Sequence, residues 1–136
     1  MRQVLVDTNV VLDVLLDRRL HVEASAAVWA AVEMGVAKGF LAAHAVTTVH
    51  YLIRKELGNA RAARTIAPIL RVFEIAPVDR TVLEQALQRS LPDFEDSVTA
   101  GAALLAGCDF IVTRHPKGFR GSPVRPVTPE AFLPLL

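Results

Sequence analysis

The heptapeptide Gln3-Val4-Leu5-Val6-Asp7-Thr8-Asn9 sets the pattern for the rest of the chain. Its apolar, β-branched half reads as a strand buried on both faces, and it stops abruptly in a polar turn, as such strands do. Val10 to Leu16 then reads as a short buried helix that breaks into the charged loop Asp17-Arg18-Arg19. From His21 to Met34 apolar residues recur at helical spacing (Val22, Ala26, Trp29, Val32), and Gly35 stands where a helix C-cap favours glycine.

The same alternation continues downstream. Phe40 to Ala43 predicts a second strand, Thr47 to Leu57 a helix closed by Gly58, and Asn59 the N-cap of a helix running through Ile66 to Val72. Phe73 to Ala76 predicts a third strand, followed by helical stretches from Asp79 to Ser90 and from Pro92-Asp93 to Ala106. Phe110 to Thr113 predicts a fourth strand, Val124 to Val127 a weak fifth, and Pro129 opens a short terminal helix. Strands separated by helices specify an α/β fold: three layers, α/β/α, around a central parallel sheet of four to five strands. With no internal repeat, linker or low-complexity tract, the expectation is one domain over residues 1–136.

Composition narrows the functional classes. In 136 residues, 52% are hydrophobic and 21% charged, which is enough apolar material for one core and excludes a disordered tail. Fifteen Lys and Arg oppose fourteen Asp and Glu for a net charge of +1, so a nucleic-acid partner has to be read from local patches. Cys108 stands alone and no basic-then-apolar leader opens the chain, so a reducing cytoplasmic location is expected. No apolar run approaches the roughly 20 residues of a membrane span, which argues against a membrane partner. A mean hydropathy of +0.37 predicts more apolar surface than a small monomer buries, hence an oligomer or a protein partner.

Parallel sheets bind ligands at the carboxyl ends of their strands, and two such places carry acids. Asp7 follows the first strand, and Asp93 with Asp96 opens the helix leading into the fourth. Three residues apart, Asp93 and Asp96 lie roughly 60° apart around a helix axis and share a face. If strands one and four are neighbours, the three carboxylates converge, and such a cluster calls for a hard cation, Mg²⁺ or Mn²⁺. Ions of this kind serve phosphodiester hydrolysis, with bound water as nucleophile. Each acid also has a plainer role. Asp7 suits the N-cap of the helix behind it, and Asp93 and Asp96 stand in the order of a capping box with Asp in place of Glu. Asp96 also lies beside the small-residue run Ala100-Gly101-Ala102-Ala103, which lets a helix approach the sheet. Asp13, amid Val and Leu, reads as the polar edge of its helix.

Val6-Asp7-Thr8-Asn9-Val10-Val11-Leu12-Asp13, Asp93-Phe94-Glu95-Asp96-Ser97 and Ile111-Val112-Thr113-Arg114 together resemble the PIN domain family, in its VapC-like toxin branch. The resemblance implies a parallel-sheet fold, a Mg²⁺ or Mn²⁺ site of clustered acids, endoribonuclease action on RNA, control by a cognate antitoxin, and a homodimer. Residue by residue, it makes Asp7, Asp96 and Asp93 the metal ligands, and makes Asn9 and Thr113 the polar groups that hold the acids. Two usual acid positions depart from the pattern. One falls on Thr48, and the other within His115-Pro116-Lys117-Gly118-Phe119. Two or three carboxylates still suffice for one Mg²⁺, which keeps several waters, whereas a second ion is much harder to hold. His50 and His115 are the substitutes on offer, and imidazole suits Mn²⁺ better. The alternative is a PIN fold that binds RNA or protein without cutting.

Phe110 to Pro129 contains no acid, while Arg114, Lys117, Arg120 and Arg125 supply fixed positive charge beside Gly118, Gly121 and Pro123. Such a loop suits phosphate contact, with Arg114, Lys117 and Arg120 the expected substrate-binding residues. Arg54, Lys55, Arg61, Arg64 and Arg71 form a second basic set, read as a solvated face. No Gly-rich phosphate loop, Ser-His-Asp order or Cys/His zinc spacing is present.

Overall fold

The computed structural model describes residues 1–136. In chain order the elements are β1 (Arg2–Val6), α1 (Thr8–Leu15), α2 (Val22–Glu33), β2 (Ala37–Ala42), α3 (Ala43–Leu57), α4 (Asn59–Val72) and β3 (Glu74–Ala76). They continue as α5 (Arg80–Gln88), α6 (Phe94–Leu105), β4 (Phe110–Val112), a 3-10 turn (Pro116–Phe119), β5 (Arg125–Val127) and α7 (Pro129–Phe132). The five strands pair in parallel in the order β3-β2-β1-β4-β5. β1 is therefore central, and Val4, Leu5 and Val6 are no more than 2% exposed.

Strand residues alternate between faces with period two, and here each face has its own core. Val4 and Val6 of β1, with Leu41, Phe110 and Val112, pack under α1 to α4 and α7. Leu5, with Phe40, Ala42 and Ile111, packs under α5 and α6, where Ala100, Ala102 and Ala103 bring the helix close to the sheet. That is the expected three-layer α/β/α fold, with the fifth strand present. No helix is long and apolar enough to cross a membrane.

Several boundaries shift, each for a local reason. α1 begins at Thr8, directly after β1, because Asp7 itself is the N-cap. β2 runs from Ala37 rather than Phe40, since Ala37-Lys38-Gly39 pairs with Arg2-Gln3-Val4. α3 begins at Ala43 rather than Thr47, with no polar cap to announce it. Gly58, at φ +91°, both ends α3 and precedes α4, so Asn59 lies inside the helix instead of capping it.

Gly39 is required for packing. A Cβ there would lie 2.7 Å from both methyl carbons of Val32 and 3.0 Å from the Phe73 ring, which itself packs edge-on against Trp29. Gly39→Ala is expected to cost about 1–3 kcal/mol by overpacking. Denaturant unfolding measures it, and an unchanged midpoint would contradict the contact.

Candidate acidic site

The order β3-β2-β1-β4-β5 reverses direction between β1 and β4, so a crevice opens at the carboxyl ends of those two strands. Asp7 sits at the end of β1 and is pinned from both sides. Its N–H donates to Val112 O at 2.9 Å, tying it to the end of β4. Its Oδ1 accepts from Thr8 N and its Oδ2 from Thr113 Oγ1, each at 2.9 Å. Thr113 is fully buried, and its Oγ1 also accepts from His115 N at 3.1 Å, which fixes the hydroxyl's direction. Cap and pinned carboxylate are thus one residue: Oδ1 serves the helix while Oδ2 is held for the crevice.

Asp96 enters from α6. Burial, then the negative charges of Asp7, Asp93 and Glu95, push its pKa up to about 6. Asp7 is also raised by burial, against the opposing hydrogen bonds from Thr113 and Thr8 and the positive charges of His115 and Arg114. The fold has therefore brought two costly carboxylates together. Asp93 stays exposed at the N-cap of α6, its Oδ1 accepting from Asp96 N at 2.9 Å. It caps the helix and adds its charge to that felt by Asp96.

The folded chain holds the Asp96 proton more tightly than the unfolded chain does. Stability of the metal-free protein is therefore full below the ordinary carboxylate range and falls as pH rises towards about 6. Thermal unfolding in EDTA between acid and neutral pH should show that decline, and Asp96→Asn should flatten it. An identical slope in the variant would assign the effect elsewhere.

Other expected site residues are placed differently. Asn9, two residues past Asp7 on α1, has its Oδ1 3.5 Å from Arg18 Nη1. Asp13 is no helix edge. It is fully buried, accepts from Ser25 Oγ at 3.0 Å, and has Arg18 Nη1 at 3.4 Å and Arg114 Nε at 2.9 Å. Arg114 is thereby tied to Asp13 in an ion pair whose N–H is aimed off the carboxylate oxygen. Lys117 and Arg120 are exposed beside the 3-10 turn. Arg125 stands at the start of β5, the opposite end of the sheet from Asp7, and lies over Phe110.

The two non-acidic positions also have structural explanations. Gly118 passes so close to Asp96 that a Cβ would lie 3.1 Å from its Oδ2. Thr48 bonds back to His44 O at 3.4 Å, one turn earlier on the same face of α3. His44 itself reaches towards the acids: its Nε2 lies 3.4 Å from Thr99 Oγ1, and the charges of Glu95 and Asp7 partly offset the burial that lowers its pKa. His115 lies close enough to Asp7 for its charge to act there, whereas His50 is on a different face of α3 from Thr48. Sequence reading missed His44, yet it stands just past the end of β2, the position where ligand groups gather in such sheets. Cys108 is buried, and its thiol is pushed up to about 12, well away from reactivity.

No three His, Cys, Asp or Glu side chains come close enough to hold an ion between them. The donor set fits a hard cation that takes one or two carboxylates and keeps most of its waters, and does not fit an all-protein cage.

Comparison with known proteins follows the same lines. The family described as PIN domain matches residues 3–116. Ribonuclease VapC1 of Aquifex aeolicus is 26% identical over 138 aligned positions, spanning 96% of this chain and 92% of that protein. Among solved structures, VapBC2 of Rickettsia felis bound to a fragment of its promoter DNA superposes with a TM-score of 0.72 at 12% identity, over 93% of this chain and 98% of that one. VapC20 of Mycobacterium tuberculosis, a toxin that cleaves the sarcin-ricin loop, superposes with a TM-score of 0.66 at 18% identity, over 79% and 86%.

Proposed function

This chain belongs to the PIN domain family, and from that premise we propose that residues 1–136 act as one unit, a Mg²⁺- or Mn²⁺-dependent endoribonuclease that is the toxin of a VapBC-type pair. The observation that carries the proposal is the meeting of Asp7 and Asp96 at the carboxyl ends of β1 and β4, with Asp7 locked by Thr113.

Asp7 and Asp96 would hold the ion, with Asp93 at the rim. Bound there, it supplies an acidified water and neutralises charge on the phosphate. The remaining work falls to the chain itself. Thr113 holds Asp7 Oδ2 in one orientation, as partners of metal ligands commonly do. Lys117 and Arg120 meet the RNA backbone. Arg114, tied to Asp13, places positive charge near Asp7 and braces the chain just after Thr113.

The exposed Leu20, Leu70, Leu87 and Leu105 support a protein partner, taken here as a cognate antitoxin and a second copy of the chain. The structure from Rickettsia felis is of VapBC2 bound to a DNA fragment from its promoter.

Calorimetric Mn²⁺ titration of the wild type beside Asp96→Asn tests the premise of metal binding. Saturable binding that is lost in the variant is expected, together with RNA cleavage that needs the ion. The second reading, a PIN fold that binds RNA without cutting it, draws on the lack of any three-ligand group. Absence of Mn²⁺ binding in both proteins, with salt-dependent RNA affinity intact, would select it.

A further inference from the structure

Beside the acid pair, a cavity of about 270 Å³ opens between the start of α3, the loop after β3 and the first turns of α5 and α6. His44, Val78, Leu83, Phe94, Glu95 and Val98 line it. Its walls are apolar except for His44 and Glu95, and Glu95 immediately precedes Asp96 in the chain. Phe94 leaves 51% of its surface open even though it is aromatic and lies next to a charged site. Glu95 takes part in neither of the chain's ion pairs, so its carboxylate is left without a partner.

We propose that this cavity is a nucleobase subsite, seating an unstacked base of the RNA strand next to the scissile phosphate and favouring bases that carry an amino group. The inference rests on the ribonuclease reading and adds to it what is selected.

The chemistry of the lining chooses the occupant. Proteins that read single-stranded RNA splay a base out, stack it on an aromatic ring and hydrogen-bond its edge. Phe94 offers the ring and Glu95 an acceptor, the group that pairs with exocyclic amines such as cytosine N4. Adenine, cytosine and guanine carry such an amine, and uracil does not. A leucine or phenylalanine from another protein would fill the same walls but would cover the Glu95 carboxylate with no donor to satisfy it, which is costly. Continuity with Asp96 supplies the register: a base held against Phe94 and Glu95 leaves its phosphate within a nucleotide of the acids.

The test uses fluorescently labelled oligoadenylate, oligocytidylate and oligouridylate hexamers, with affinity read by anisotropy in EDTA. The wild type should bind the first two about tenfold more tightly than the third, the size of one good edge contact. Glu95→Gln should bring that ratio close to one, since an amide serves amine and carbonyl edges alike. Phe94→Ala should weaken all three about tenfold and leave the ratio standing, the cost of one lost stacking partner. Both side chains are at the surface, and circular dichroism confirms that the variants are folded. Equal wild-type affinity for the three hexamers, or a ratio unmoved by Glu95→Gln, would overturn the subsite. So would a Phe94→Ala effect confined to sedimentation mass, which would make the cavity a protein seam. Cleavage of the same hexamers with Mn²⁺ separates the two claims: base preference without cutting sinks the ribonuclease and leaves the subsite, while cutting without preference sinks the subsite alone.

Discussion

Asp7→Asn is expected to lower RNA cleavage by about 100-fold or more, since even partners one step removed from a metal commonly cost 10–100-fold. Its thermal midpoint should hold or rise. Burial already keeps the Asp7 pKa above its ordinary value, so the folded chain bears a cost for the ionised carboxylate that an amide removes. The cap survives, because the amide oxygen still accepts from Thr8 N where Oδ1 did at 2.9 Å. What is lost is the anionic Oδ2 that Thr113 holds for the crevice. Loss of function with no loss of stability is the signature of a side chain kept for chemistry. Single-turnover cleavage and a melting curve on the same preparation measure both halves. Wild-type cleavage by Asp7→Asn, or by Asp96→Asn, would end the metal-nuclease assignment.

Asp13→Ala acts in the opposite sense. The carboxylate is fully buried and gathers Ser25, Arg18 and Arg114 from three different parts of the chain. Removing it strands the Arg114 guanidinium, whose side chain is only 18% exposed, and empties the Ser25 bond. Breaking a buried pair from one side typically costs about 3–5 kcal/mol. Denaturant unfolding should show a loss of that order, and a double variant with Arg114→Ala should lose less than the sum of the singles. A loss below about 1 kcal/mol would mean that water already reaches the pair, as at surface salt bridges. Because Arg114 directly follows Thr113, the same variant should also loosen the hold on Asp7.

What the sequence made legible follows from how local each signal is. The run Val4-Leu5-Val6 and its stop at Asp7 are written in consecutive residues, and so is the Asp93-to-Asp96 capping order. The parallel α/β/α arrangement comes from the alternation of such segments. Tertiary pairing is not local. Asp13 looked like a helix edge because its partners, Ser25 and Arg114, lie 12 and 101 residues away. Arg125 looked like part of a phosphate loop because it is near Arg120 in sequence, yet the loop between crosses back to the start of β5, at the other end of the sheet from Asp7. His44 was hidden by a start for α3 placed four residues late, since Ala42 offers no polar cap to mark the true boundary.

The glycine at 118 bears on how a fuller set of acids could be engineered into this protein. Of the two positions where acids are missing, 118 is already taken up by Asp96, whose Oδ2 lies 3.1 Å from where any new Cβ would stand. A carboxylate added there would displace the Asp96 carboxylate as it arrived, gaining one acid by disturbing another. At position 48 the present hydroxyl bonds back along its own helix, one turn from His44. The two apparently equivalent gaps are therefore unequal as design targets, and a strengthened site is reached through α3 with Thr48→Glu while the glycine is left in place.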